Sequence, residues 1–205
     1  MDVKEIADGV IAGKLPVVKE LVQAAIDQGI PAEQILQAGL LAGMAVIGDR
    51  FKRNEIYVPN VLLAARAMKA GTELIKPLLV QAGVKPLATV VIGTVKGDLH
   101  DIGKNLVGMM MEGAGLKVVD AGIDVSAERF VALAKENQAK VVGVSALLTT
   151  TMLNMRGVVD AAHAEGFKVM IGGAPVTQGF ADEIGADGYS PDAASAAELA
   201  KMLVA

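Results

Sequence analysis

The 205-residue chain contains no cysteine. Disulfides, iron–sulfur clusters, thiol nucleophiles and cysteine zinc sites are excluded together. Histidine is nearly as scarce: His100 and His163 are the only two, too few for a histidine-rich metal cage. Aromatic residues make up 3%, with no Trp, two Tyr and four Phe. Such a chain lacks the stacking platforms of single-strand nucleic-acid binders, and the aromatic-rich strands of a sandwich. No sign of charge dominates, since 19 Lys and Arg stand against 23 Asp and Glu for a net charge of −4. There is no basic face or tail of the kind that DNA or RNA requires. No apolar run reaches the ~18 residues of a membrane span. The first residues, MDVKEIADGVIAGK, are acidic and periodic, unlike a signal peptide. These absences predict a soluble, cytoplasmic protein with no nucleic-acid or membrane partner.

What is present is aliphatic. Apolar residues account for 53% of the chain and charged residues for 20%, enough for a sizeable core and too apolar for disorder. Residues 1–80 carry helical periodicity throughout. Val3, Ile6, Val10 and Ile11 form one face; Val17, Val18, Leu21, Val22, Ala25 and Ile26 form a second, opened by Pro16 and stopped at Gly29. Pro31 opens a third helix through Ile35, Leu36, Leu40, Met44 and Ile47, and Pro59 a fourth through Leu62, Leu63, Ala67, Met68, Leu74 and Ile75. Short connections between them predict an N-terminal four-helix bundle. The segment QAGVKPL, residues 81–87, reads as a linker, which sets a domain boundary between 84 and 85.

Residues 85–205 alternate short β-branched runs with helical segments. Strands are predicted at Thr89–Ile92, Lys117–Asp120, Val141–Ser145, Lys168–Ile171 and Asp187–Tyr189. Helices are predicted at Ile102–Gly113, Ala127–Asn137, Thr151–Glu165, Thr177–Ile184 and Ala193–Val204. The strands are continuously apolar, so the fold class is α/β: a flavodoxin-like or Rossmann-like five-stranded parallel sheet covered on both faces.

Ligands of such sheets bind beyond the carboxyl ends of the strands. The loop after the first strand, GTVKGDLHDIGKNLV, holds Asp98, His100 and Asp101 between Gly97 and Gly103. As a phosphate loop it has one residue too many between its glycines, and Asn105 stands where Ser or Thr would bind magnesium. The dinucleotide fingerprint is absent. A histidine that caps the following helix is the plain structural alternative.

The loop has a closer match. Asp98-Leu99-His100-Asp101-Ile102-Gly103 resembles the D-x-H-x-x-G signature of corrinoid-binding domains. Ser145-Ala146-Leu147 is similar to that family's S-x-L, and Gly172-Gly173 to its paired glycines. The helical stretch GDRFKRNEIYVPNVLLAARAMKAG, residues 48–71, resembles the cap of cobalamin-dependent methionine synthase and of methyltransferase corrinoid proteins. The resemblance runs over nearly the whole chain in the family's order.

The resemblance implies a cofactor, cobalamin or a related corrinoid, cycling through the methylcobalamin, cob(I)alamin and cob(II)alamin states. His100 would be the axial ligand to cobalt, displacing the cofactor's own dimethylbenzimidazole. Asp98 would accept the other imidazole N–H, and Thr151, where the family commonly has Ser, would continue that relay. Ser145 would bond the displaced benzimidazole in a slot shaped by Leu147, Gly172 and Gly173, with Asp101, Gly103 and Thr149 as further cofactor-binding candidates. Met44, Tyr57 and Val58 would screen the upper cobalt face or belong to the bundle core. Met109, Met110 and Met111 read as core filling, and His163 as a surface residue without a site role.

The function implied is that of a methyl carrier without standalone catalysis. A substrate-specific methyltransferase would deliver the methyl group, and a second would pass it to tetrahydrofolate or coenzyme M. A reductive activase would complete the set of partners. Two alternatives share the binding domain. One is a cobalamin-dependent light-sensing regulator, which needs a DNA-binding segment that the chain lacks ahead of its bundle. The other is the B12-binding subunit of an adenosylcobalamin mutase, which needs a catalytic barrel.

Overall fold

Apolar residues three and four apart make helices of most of the first 81 residues. Helix α1 (Lys4–Ile11) buries Ile6 and Val10. Helix α2 (Leu15–Asp27) carries Pro16 in its first turn, where a missing N–H costs nothing, and buries Val18, Val22 and Ala25. Next come α3 (Ala32–Gln34), a π-helical segment over Ile35–Leu41, and α4 (Ala42–Lys52). The periodicity predicts one α-helix here. The structure widens its middle instead, with Ile35, Gly39 and Leu40 of the π segment buried. At Gly43 a Cβ would lie 2.8 Å from both the Ala7 carbonyl oxygen and Val10 Cβ, so only hydrogen lets α4 pack this near α1. Helix α5 (Val58–Gln81) buries Val61, Ala64, Ala65, Met68, Ile75 and Leu79, a face of three- and four-residue steps. The buried faces are narrower than the periodicity predicts: Val17 is 38% and Leu63 50% exposed.

The computed structural model describes residues 2–205. They form two compact units, one running up to Lys85 and including Gly113–Gly115, the other made of Pro86–Glu112 and Leu116–Ala205. After residue 85 the elements follow as β1 (Thr89–Thr94), α6 (Ile102–Gly113), β2 (Lys117–Asp120), α7 (Ala127–Glu136), β3 (Val141–Ser145) and α8 (Thr149–Met152). After them come α9 (Met155–Ala164), β4 (Lys168–Gly172), α10 (Gln178–Ile184), β5 (Gly188–Ser190) and α11 (Ala193–Val204). The helix predicted over 151–165 is thus two, broken at Leu153 and Asn154. Met110 and Met111 are buried and Met109 partly so, as expected of core filling.

All four strand pairings are parallel, in the order β2-β1-β3-β4-β5. The crossovers from β2 to β3, β3 to β4 and β4 to β5 advance in one direction across the sheet. Their right-handedness puts α7, α9 and α10 on one face, and the reversed step from β1 to β2 puts α6 on the other. The first face is filled by Phe130, Leu133, Met155, Val158, Phe180 and Ile184 against Val91, Val142, Val144, Val169 and Ile171. The strand order reverses between β1 and β3, which opens a crevice at their carboxyl ends.

The amino end of the sheet is held by a charge cluster. The Asp187 carboxylate accepts from Lys168 Nζ, the Val169 N–H and His163 Nε2, each at 2.7 Å. His163 therefore ties α9 to the start of β5. Burial alone raises the Asp187 pKa, but the hydrogen bonds from Lys168, Val169 and His163 outweigh it and hold the group below its ordinary value. A carboxyl depressed in the folded state stabilises fully above its unfolded pKa of about 3.9 and loses that contribution as pH falls through the folded pKa. Urea midpoints of the parent are expected to fall from about pH 4 downward more steeply than those of Asp187→Asn. Parallel curves over that range would remove Asp187 from the acid sensitivity.

No helix among the described residues is long and apolar enough to cross a membrane.

Candidate functional site

The loops after β1 and β3 flank the crevice, and a single carboxylate joins them. Asp98 is fully buried. Its Oδ1 accepts from the His100 N–H at 3.1 Å and faces His100 Nδ1 at 2.7 Å. Its Oδ2 accepts from the Thr151 hydroxyl at 2.6 Å, the Leu147 N–H at 2.8 Å and the Leu148 N–H at 3.3 Å. Local sequence explains how the chain brings the group inward. Gly97, at φ +86°, turns the strand end back on itself. The two-residue spacing to His100 then closes an Asx-type turn. Thr94, also fully buried, donates from its hydroxyl to the His100 carbonyl at 2.8 Å.

Burial by itself pushes the Asp98 pKa up. The hydrogen bonds from Thr151, the Leu147 N–H and the side chain and N–H of His100 outweigh burial, and hold the carboxyl well below the usual carboxylate range. An ionised carboxylate has no proton to give, so the contact with Nδ1 requires that His100 donate it. The neutral ring is then the Nδ1–H tautomer, with its lone pair on Nε2. Nε2 has no hydrogen bond to any described residue, and the imidazole is half exposed. Leu99 and Ile102, beside His100 in sequence, and Leu147 and Leu148, whose N–H groups bond to Asp98, are all exposed apolar residues.

The other candidates fall into two groups. Ser145 and Gly172 are register partners at the ends of β3 and β4, and Gly172 pairs in turn with Ser190 of β5. Ser145 is partly buried, and its hydroxyl bonds to no described residue. Gly173 follows at φ +128°, where a Cβ would fall 1.9 Å from the Ala146 carbonyl oxygen. Gly103 differs, since a Cβ there would meet nothing within 4 Å. Asp101 and Thr149 are exposed and stay outside the Asp98 network; Asp101 accepts from Asn105 Nδ2 at 3.0 Å. In the helical unit Met44 is buried, Val58 partly buried and Tyr57 exposed.

The sequence reading misses Thr94, Ser190, Lys104, Asp120 and Asp124. Thr94 and Ser190 are polar residues at strand ends, which register alone brings level with Ser145 and Gly172. Asp124 sits at φ +52° and accepts from the Gly97 N–H at 2.7 Å, a contact across 27 residues that leaves no local pattern.

Among the described residues, no group of three or more His, Asp or Glu side chains is arranged to hold a metal ion. A single free imidazole nitrogen suits a metal that arrives with its remaining ligands already in place.

Comparison with known proteins agrees with that chemistry. Two family models, each described as a B12 binding domain, match residues 88–198 and 3–76. A corrinoid protein of Desulfitobacterium hafniense is 40% identical over 207 residues, covering 98% of this chain and 96% of its own. Dimethylamine corrinoid protein 3 of Methanosarcina acetivorans is 44% identical over 204 residues, covering 98% and 95%. Among solved structures, the methanol:cobalamin methyltransferase complex of Methanosarcina barkeri contains a chain that superimposes with a TM-score of 0.88 at 33% identity, covering 98% of this chain and 79% of its own.

Proposed function

The chain belongs to the B12-binding corrinoid proteins, and from that membership we propose that it carries a methyl group, on the cobalt of a bound cobalamin or related corrinoid, between two methyltransferases. The observation that carries the reading is Nε2 of His100, the unpartnered nitrogen of a ring fixed by a buried carboxylate. The residues present fit the cofactor. His100 Nε2 would supply the one protein nitrogen that a metal already held by a macrocycle could take. The exposed Leu99 and Ile102 suit a flat, largely apolar ring, and the open space at Gly103 leaves the backbone accessible to it.

In this reading His100 ligates the cobalt. Asp98 fixes the tautomer and orientation of the ring, and Thr151 and the Leu147 N–H fix Asp98. Ser145, with Leu147, Gly172 and Gly173, lines the slot for the nucleotide tail; Asp101 and Thr149 stand at its exposed rim. Bound there, the corrinoid supplies a metal centre that takes a methyl group from one partner and yields it to another. Because Asp98 faces Nδ1 at 2.7 Å, on the side of the ring away from Nε2, it would hold the imidazole in place for the group. The partners are a substrate-specific methyltransferase, a second methyltransferase to tetrahydrofolate or coenzyme M, and a reductive activase. The names of the relatives support a small methylated amine or alcohol as the methyl source.

The test uses the whole protein mixed with hydroxocobalamin and desalted, beside His100→Ala. The parent is expected to retain about one cobalt per chain, and the variant to retain cobalamin more weakly with an altered visible spectrum. A folded parent that holds no cobalt would overturn the reading. So would a protein that retains adenosylcobalamin in preference to methylcobalamin.

A further inference from the structure

Lys104 is a buried cation that none of these roles employs. It lies in the first turn of α6, four residues after His100, with its side chain only 3% exposed. The three protons of its ammonium meet three acceptors: both carboxylate oxygens of Asp120, each at 2.7 Å, and Asn105 Oδ1 at 2.6 Å. Asp120, at the end of β2, is half exposed. Its Oδ1 also accepts from the Gly122 N–H at 2.8 Å.

The loop that Asp120 begins is bonded along its length to the histidine loop. Thr94 N–H donates to the Gly122 carbonyl at 2.9 Å, and the Val125 N–H to the Thr94 carbonyl at 3.0 Å. The Asp124 N–H donates to the Asp98 carbonyl at 3.0 Å, while the Asp124 carboxylate takes the Gly97 N–H. The sheet order gives this a direction. β1 lies between β2 and β3, so the loop that carries His100 is braced on two sides. Asp98 ties it to the segment after β3, and Lys104 with Asp120 ties it, through α6 and the 120–125 loop, to β2.

A buried ion pair is weak evidence for stability, because apolar replacement of the pair often costs nothing. What three short, charge-assisted bonds do supply is a fixed geometry. We propose that the Lys104–Asp120 pair positions His100 for axial ligation, by pinning the first turn of α6 to the end of β2. The inference rests on the carrier reading, because it presupposes that His100 meets a cobalt.

The experiment loads the full-length protein, labelled with 15N-histidine, with cob(II)alamin and records its frozen-solution electron paramagnetic resonance spectrum. A protein imidazole splits each cobalt line in two, the cofactor's own unlabelled base splits it in three, and an unligated cobalt shows neither. Thermal midpoints are read on the same samples. In Lys104→Met and in Asp120→Asn, the doublet fraction is expected to fall at least about twofold from the parent, as outer-sphere partners of metal ligands do when removed. Asp120→Asn changes a half-exposed residue and folds even where the lysine variant does not. The control Lys135→Met, which breaks the exposed 2.7 Å pair with Glu165, is expected to keep the parental doublet. Folded variants with the parental doublet would overturn this inference and leave the carrier reading standing. A doublet that falls equally in the control would also overturn it. A parent that holds cobalamin but shows no doublet would overturn the axial role of His100, and this inference with it.

Discussion

Asp98→Ala is expected to destabilise the sheet-containing unit by about 3–5 kcal/mol, the range for removing one member of a buried charged network. The substitution leaves the Leu147 N–H and the His100 N–H without their acceptor, and each unmet buried donor costs about 1–3 kcal/mol, while the Thr151 hydroxyl keeps only its 3.0 Å bond to the Leu148 carbonyl. The thermal midpoint of the unit is expected to fall by on the order of 10 °C or more. Asp98→Asn is the milder change. An amide oxygen serves one side of the network, but the amide NH2 then confronts either the Leu147 N–H or His100 Nδ1. A conflict on the Nδ1 side releases the ring, so loss of imidazole ligation in a folded Asp98→Asn protein is the companion observation. An Asp98→Ala protein within about 1 kcal/mol of the parent would show that water replaces the carboxylate, and the focal role given to Asp98 would fail.

Gly173→Ala is expected to be more severe, at over about 4 kcal/mol, a range reached only by a short list of mechanisms. Two of them coincide here. The new Cβ would lie 1.9 Å from the Ala146 carbonyl oxygen, and φ is +128°, which side chains rarely adopt. Neither atom at the clash is the end of a flexible side chain, so relief requires the β3 and β4 loops to separate. The measurement is soluble yield and urea midpoint beside Gly103→Ala. A Cβ at Gly103 meets nothing within 4 Å, so that variant is expected to fold like the parent and to lose cobalamin retention alone. A stable Gly173→Ala would mean the two loops part without cost. Gly173 is therefore glycine because the fold demands it, whereas at Gly103 the fold leaves room for a side chain.

Most of the architecture was legible because its signals are local. The strand pattern of Val141–Ser145 and the helical pattern of Ile102–Gly113 recur in the structure with the same bounds. So was the conjunction at the site: Asp98 and His100 are two residues apart, and the match to a known motif pointed to Thr151, which the fold brings to 2.6 Å of the carboxylate. What stayed hidden depends on contacts between distant residues. Lys104 looks like any lysine in a helix until β2 puts Asp120 beside it. His163 is exposed, as its sequence suggests, but its bond to Asp187 leaves no local pattern, because the two are 24 residues apart. The exposure of Leu63 is of the same kind, because periodicity marks an apolar face but not how much of that face a neighbour covers.

The π-helical segment at Ile35–Leu41 has a consequence for the permitted lengths of this chain. A π turn is an α-helix that has absorbed one extra residue. Each residue of an α-helix advances the next by about 100°. Removing one residue from within 35–41 would therefore restore a plain α-helix with both flanks in their original orientation. Removing one between Gly43 and Ile47 would swing part of the helix by about 100° and carry Met44 or Ile47 off its buried face. A variant of this chain shortened by one residue within 35–41 is therefore expected to keep the bundle, and one shortened between Gly43 and Ile47 to lose it.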